Sequence, residues 1–228
     1  MNKKVLLLVL AVLSLLPHYA GAAEKNTIKF SKSVLNISER GFLTLRKNKQ
    51  LLANFRAHFT TRSKEKWISY NSSTAGTKLL AADGNTWRFE GNIPLNAKVK
   101  FAVKQTLTRS PVNSLDGELV WNKLQTPEDL REAALYITLP MTVAGKSKIT
   151  VNGKNFTKTL DIVNENKFGW FQAMVKNPEV LLLDGIAPIK VACAGTFYVT
   201  IGSVKSKEFT IRLVAPRTAN GLQFSISE

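Results

Sequence analysis

The sequence is short of the residues on which most metalloenzymes and stapled secreted domains rely: its 228 residues include one Cys and two His. A single Cys, Cys193, excludes a disulfide within the chain, so stability has to come from a core. At this length a chain buries about 70% of the surface its unfolded form exposes, which is enough to build one. Zinc sites draw on Cys and His in numbers this chain lacks, and no metal site is expected. His58 is the only imidazole beyond the N-terminal leader described below, which leaves little for a Cys-His or Ser-His pair. Cys193, within Val191-Ala192-Cys193-Ala194-Gly195, reads as a small buried side chain. There is no phosphate-cradling Gly loop and no dinucleotide fingerprint, so no cofactor is expected. Acids are scarce, with 16 Asp and Glu against 32 Lys and Arg. No apolar run reaches the roughly 20 residues needed to cross a bilayer.

What is present begins with a leader. Asn2-Lys3-Lys4 is a basic start, Val5 to Leu16 is mostly apolar, and Ala20-Gly21-Ala22 fits a small-residue cleavage site. Residues 1–22 therefore read as a secretory signal peptide, and residues 23–228 as one exported domain, periplasmic or extracellular. Cleavage lowers the formal charge of +16 by two, because Lys3 and Lys4 leave with the leader.

Beyond residue 26 the dominant period is two, as in strands whose side chains alternate between a buried and a wet face. Val99, Phe101 and Val103 alternate with Lys98, Lys100 and Lys104. Phe55-Ala57-Phe59, Phe197-Val199-Ile201, Phe209-Ile211-Leu213 and Leu222-Phe224-Ile226 repeat the pattern. His58, between Ala57 and Phe59, is expected to point outward into solvent. Val180-Leu181-Leu182-Leu183 lacks alternation and reads as a strand buried on both sides. Turns are expected at Asp83-Gly84, Asp116-Gly117, Asn152-Gly153 and Asp184-Gly185, since Gly tolerates positive φ and Asn or Asp can bond its own backbone. Asn152-Gly153 is the strongest hairpin signal. Only residues 126–133 look helical, with Thr126 as N-cap, Pro127 at the first position and acids following. Roughly twelve to fourteen short strands at close spacing predict an all-β fold, an antiparallel two-sheet β-sandwich with one short helix in a loop.

A glycan-cleaving site needs only two carboxylates at a defined separation. Asp116 and Glu118 share a face if residues 116–121 are extended, but Asp116 and Asp184 precede Gly in expected turns, and Glu128 and Asp129 suit a helix start. No catalytic residue is assigned. The basic residues are more unusual: Arg40, Arg46, Lys47, Lys49, Arg56, Arg62, Lys64 and Lys66 face a single interspersed acid, Glu65. Lys98, Lys100, Lys104 and Arg109 form a second group. Such a surface steers anionic partners in, the competing reading being an ordinary solvated face. Export makes nucleic acid a weaker candidate and leaves acidic or sulfated polysaccharides, anionic lipid head groups and extracellular DNA as the abundant polyanions, and Arg46, Lys47, Lys49, Arg62, Lys64 and Lys66 are the candidate contacts for an anionic ligand. Among the aromatics, Trp87 and Trp121 fall on core parity. Trp67, Tyr70 and Trp170 are the candidates for stacking on a sugar ring.

Three stretches carry a family likeness. Asn85 to Ile93, then Val99-Lys100-Phe101 through Gln105-Thr106-Leu107-Thr108, then Leu135 to Pro140 with Ala144-Gly145 and Val151-Asn152-Gly153-Lys154 resemble a β-sandwich region found beside catalytic domains in large secreted glycoside hydrolases of environmental bacteria. The likeness covers roughly residues 85–214 and consists of strands and turns, so it transfers no functional residue. It implies a carbohydrate-associated accessory module. The leading expectation is thus a secreted, non-catalytic β-sandwich engaging carbohydrate and favouring acidic glycans. The alternatives are a glycan hydrolase or lyase using scattered carboxylates, and an envelope structural or protein-interaction module.

Overall fold

A computed structural model of the chain describes residues 26–63, 66–71, 77–94, 100–111, 113–122, 130–155, 171–203 and 208–228. The leader, residues 1–22, lies outside them. The described residues form two antiparallel sheets of nine strands each, more strands than the turn signals predict. The first sheet runs β1 (Thr27–Lys29), β2 (Val34–Ile37), β3 (Leu43–Lys47), β4 (Gln50–Ser63), β10 (Leu130–Pro140), β17 (Glu208–Val214), β16 (Thr196–Ser203) and β13 (Phe171–Lys176). β5 (Lys66–Asn71) pairs with the far end of β4, along the same edge that β3 occupies nearer its start. The second sheet runs β12 (Lys154–Asn155), β11 (Lys148–Val151), β14 (Glu179–Asp184), β15 (Ile189–Cys193), β18 (Gly221–Ser227), β9 (Ser114–Asn122), β8 (Lys100–Ser110), β7 (Thr86–Pro94) and β6 (Lys78–Ala82).

The alternation read from the sequence builds the core. Phe55, Ala57 and Phe59 of β4, Leu135, Ile137 and Leu139 of β10, and Val199 and Ile201 of β16 meet Leu115, Leu119 and Trp121 of β9 and Leu222, Phe224 and Ile226 of β18 in one apolar cluster. Phe59 and Trp121 touch edge-to-face across the two layers, their centroids 5.9 Å apart. One polar bond also crosses: buried Gln105 of β8 donates its Nε2 to the carbonyl of Gly41, 3.1 Å away.

Several turns form as predicted. Asn152 and Gly153 adopt φ of 46° and 77° between β11 and β12, the left-handed pair that a two-residue hairpin requires. Asp83 Oδ1 accepts from the backbone N–H groups of Asn85 and Thr86 at 3.2 and 2.8 Å, closing the turn before β7.

Other expectations are corrected. Leu130, Arg131, Glu132 and Ala133 belong to β10, not to a helix; residues 126–129 lie outside the described residues. Pairing with β4 supplies the hydrogen bonds there, and the only described helix is α1 (Met141–Ala144), after Pro140. Asp116-Gly117 is no turn: both lie inside β9, where Gly117 leaves room for the Phe224 ring on the paired strand. The apolar run of β14 is not buried evenly, since Leu181 is only half-buried. Leu182 and Leu183 both reach the interior because Leu183 takes φ of 60° at a bulge opposite β11. No helix among the described residues is long and apolar enough to cross a membrane.

Candidate functional site: a groove across the second sheet

On four neighbouring strands of the second sheet, the outward residues Thr106, Thr108, Asp116, Glu118, Gln223, Ser225 and Ala192 are short or polar. Antiparallel register brings them into two rows. Thr108 of β8, Asp116 of β9, Ser225 of β18 and Ala192 of β15 form one. Thr106, Glu118 and Gln223 form the other, which ends at Ala194, whose N–H donates to the Gln223 carbonyl. These residues, with Asn177, line a groove of about 590 Å³. Its depth follows from side-chain size, since flanking strands carry Thr, Ser and Ala where longer chains would fill the space.

The groove combines hydrogen-bonding rim and apolar surface. Gln223 donates its Nε2 to Glu118 Oε1 at 3.3 Å, which holds the carboxamide and leaves its oxygen as an acceptor. Asn177, at φ of 45°, accepts from Gly195 N–H through its Oδ1 at 2.8 Å and so is fixed at one end of the groove. Asp116 and Glu118 point from the same face of one strand about 7 Å apart along it. Cys193 borders the groove but is buried, and burial pushes its thiol up to about 12, so it is no nucleophile there. Among the described residues no group of three or more His, Cys, Asp or Glu could hold a metal.

On the first sheet the outward face over β4 and β10 is closed instead of open. His58 points away from the core, as its parity predicts, yet it is buried. The correction has a simple cause: the Tyr136 ring stacks on it, with centroids 3.8 Å apart and planes 13° from parallel. His58 Nε2 lies 3.0 Å from Thr60 Oγ1. Burial first, and then the charges of Arg56 and Arg212, lower its pKa to about 3, so the ring is neutral at pH 7. Arg56 and Arg212 flank Tyr136 in register, each with its guanidinium carbon 5.9 Å from the ring centroid. Tyr136 donates to Glu132 Oε1 at 2.6 Å, and Arg212 pairs with the same carboxylate at 3.6 Å. Burial and the Glu132 charge raise the phenol pKa, which keeps it a donor.

Of the candidate contact residues singled out from the sequence, three have described side chains. Arg46, Lys47 and Lys49 sit at the β3–β4 hairpin. Arg46 donates to the Lys49 carbonyl at 3.0 Å, and Lys47 to the Ile186 carbonyl at 3.0 Å, so two of these side chains brace backbone. In register, Trp67 opposes Arg62, Lys66 opposes Ser63, and Tyr70 opposes Phe59 on β4 and β5; the side chains of Arg62, Lys66, Trp67 and Tyr70, and the whole of Lys64 and Trp170, lie outside the described residues. Trp87 and Trp121 are buried as expected. The groove residues Thr106, Thr108, Gln223 and Ser225 were not singled out. Their signal is polar residues at alternate positions, Thr106 and Thr108 on β8 and Gln223 and Ser225 on β18, which become a site only once register sets the strands side by side.

No protein-family model and no curated protein matches the chain by sequence. Among solved structures it is similar to an alpha-mannosidase from Enterococcus faecalis V583, with a TM-score of 0.53 and 11% sequence identity. The match covers 90% of this chain and 29% of that enzyme. At that identity the likeness concerns the two-sheet fold.

Proposed function

We propose that the protein is an exported, non-catalytic β-sandwich module, a single domain after the leader, that engages carbohydrate and favours acidic glycans. The groove across the second sheet carries the carbohydrate part of this reading; its charged lining is Asp116 and Glu118, so the acidic preference is assigned to the basic surface instead. Its volume of about 590 Å³ is in the range of small-ligand sites. Its rim of hydroxyls, carboxylates and carboxamides can exchange hydrogen bonds with sugar hydroxyls, while Ala192, Ala194 and the Thr methyl groups offer apolar contact to ring C–H groups. Asp116 and Glu118 stand side by side on one strand. A glycosidase pair must flank the bond from two sides, so these carboxylates suit hydroxyl recognition better than hydrolysis.

The preference for acidic chains rests on the excess of base over acid, +16 for the full sequence, which raises the local concentration of polyanions. The architecture shared with part of an alpha-mannosidase supports a carbohydrate association. Trp67, Tyr70 and Trp170 remain the proposed stacking aromatics.

Affinity electrophoresis of the protein lacking residues 1–22 through neutral, uronic and sulfated polysaccharides tests the reading. Retardation is expected, strongest in the charged gels at low salt, and Ser225→Trp should abolish its groove-dependent part by filling the space without loss of thermal stability. Unretarded migration in every gel overturns binding, and release of new reducing ends overturns the non-catalytic assignment.

A further inference from the structure

A second cavity, of about 380 Å³, opens at one end of the sandwich between β1 and the turn joining β8 to β9. Thr27, Lys29, Arg109, Ser110 and Asn113 supply its polar lining, and no acid is among the described residues that line it. Arg109 lies on the inward parity of β8, yet at the strand end where the two layers part. It is fixed in place: its guanidinium donates to the Thr27 carbonyl and lies 5.8 Å from the Trp87 ring centroid. Trp87 is itself anchored by donation to Asn26 Oδ1 at 2.9 Å, and Arg109 N–H bonds the Asn85 carbonyl at 2.7 Å. Arg109 Nε is buried with no hydrogen-bond partner among the described residues. Burial of that donor leaves part of the guanidinium charge uncompensated by the protein, which favours an anion in the adjoining cavity. Glu228, at the same end, is engaged elsewhere, accepting from Ser31 Oγ and N–H at 2.5 Å and from Lys32 N–H at 3.3 Å.

We propose that this cavity is an oxyanion site, in which the pre-set Arg109 guanidinium, with Lys29 and the Ser110 and Asn113 side chains, takes the sulfate ester or the uronate carboxylate of a glycan. It rests on the proposed function for the carrier of the anion, not for the anion chemistry itself. A fixed guanidinium presents a planar fork that matches either group, and its ordering cost is met before binding. The cavity exceeds an isolated oxyanion, leaving space for the ring that bears it.

Isothermal titration and Arg Nε–H nuclear magnetic resonance of the protein lacking residues 1–22 test the site, with methyl β-glucuronide, glucose 6-sulfate and neutral methyl glucoside as probes at low salt. The two anionic probes should shift the Arg109 Nε–H resonance, and the neutral one should not; which anion binds more tightly separates the two sources. Arg109→Gln should remove the response. Asn113→Asp keeps a residue tolerant of the 41° φ at that position and adds one negative charge, so it should weaken binding at least fivefold even if Arg109→Gln folds poorly. Equal responses to all three probes, no response to either anion, or unchanged affinity in Asn113→Asp overturns the site. Ser225→Trp should leave it intact, so failure of the groove and failure of this cavity are read separately.

Discussion

The outward face of the first sheet over β4 and β10 and that of the second over β7, β8, β9 and β18 obey the same odd-even rule and end in opposite states. On the first sheet the outward residues His58, Thr60, Ala134, Thr138 and Thr200 are buried, roofed in part by Tyr136 and its flanking arginines. On the second, no described outward residue of β7, β8, β9 or β18 is buried. Side-chain reach accounts for much of the difference. Long Arg and Tyr side chains fold over their neighbours and turn an outer face into a polar packing layer, whereas Thr, Ser and Ala leave backbone-deep space. One face thereby becomes a packing layer and the other keeps an open groove.

Acid should break the contrast most strongly. His58 carries a folded pKa of about 3 against an ordinary 6.5, so its contribution is complete above pH 6.5 and is lost as pH falls towards 3. By pH 4 that loss is about 3 kcal/mol. Urea denaturation at pH 7 and pH 4 should show the drop in the native protein and a much smaller one in His58→Phe, which keeps a ring against Tyr136. Next in size is Tyr136→Ala, expected to cost about 3 kcal/mol at pH 7 because it removes the stacking partner of His58 and unseats Glu132. A cost under 1 kcal/mol in the same measurement would mean the first sheet's outer layer is ornamental. Gly117→Ala tests the second sheet from within. The added Cβ would meet the Phe224 ring at 2.1–2.6 Å, and the resulting overpacking should cost about 1–3 kcal/mol in thermal or urea unfolding. The smallest stability effect belongs to the groove itself. Thr106→Ala combined with Ser225→Ala should stay within about 0.5 kcal/mol of the native protein, yet reduce retardation in a polysaccharide gel severalfold.

The sandwich was legible because its core strands alternate cleanly, as in Phe209-Ile211-Leu213 and Leu222-Phe224-Ile226. Local turn chemistry was legible where the chain reverses on two residues, at Asn152-Gly153. It misled at Asp116-Gly117, where the glycine serves packing against Phe224 on another strand, a cause no local pattern records. Residues 130–133 show the same limit: expected to continue a helix, they pair with β4 instead. For His58, parity predicts direction but not cover, since the covering ring arrives from β10. Nor could the groove be read in advance, because Thr106, Glu118 and Gln223 stand far apart along the chain and meet only through register.

The lone thiol at the groove's border has a last consequence. With Cys193 held near a pKa of about 12, only about one molecule in 100,000 carries the thiolate at pH 7. Exchange with a foreign disulfide needs that thiolate and a clear approach, and burial denies both. Oxidised partners therefore meet a side chain held back from exchange, and the thiol sulfur serves as a packing atom.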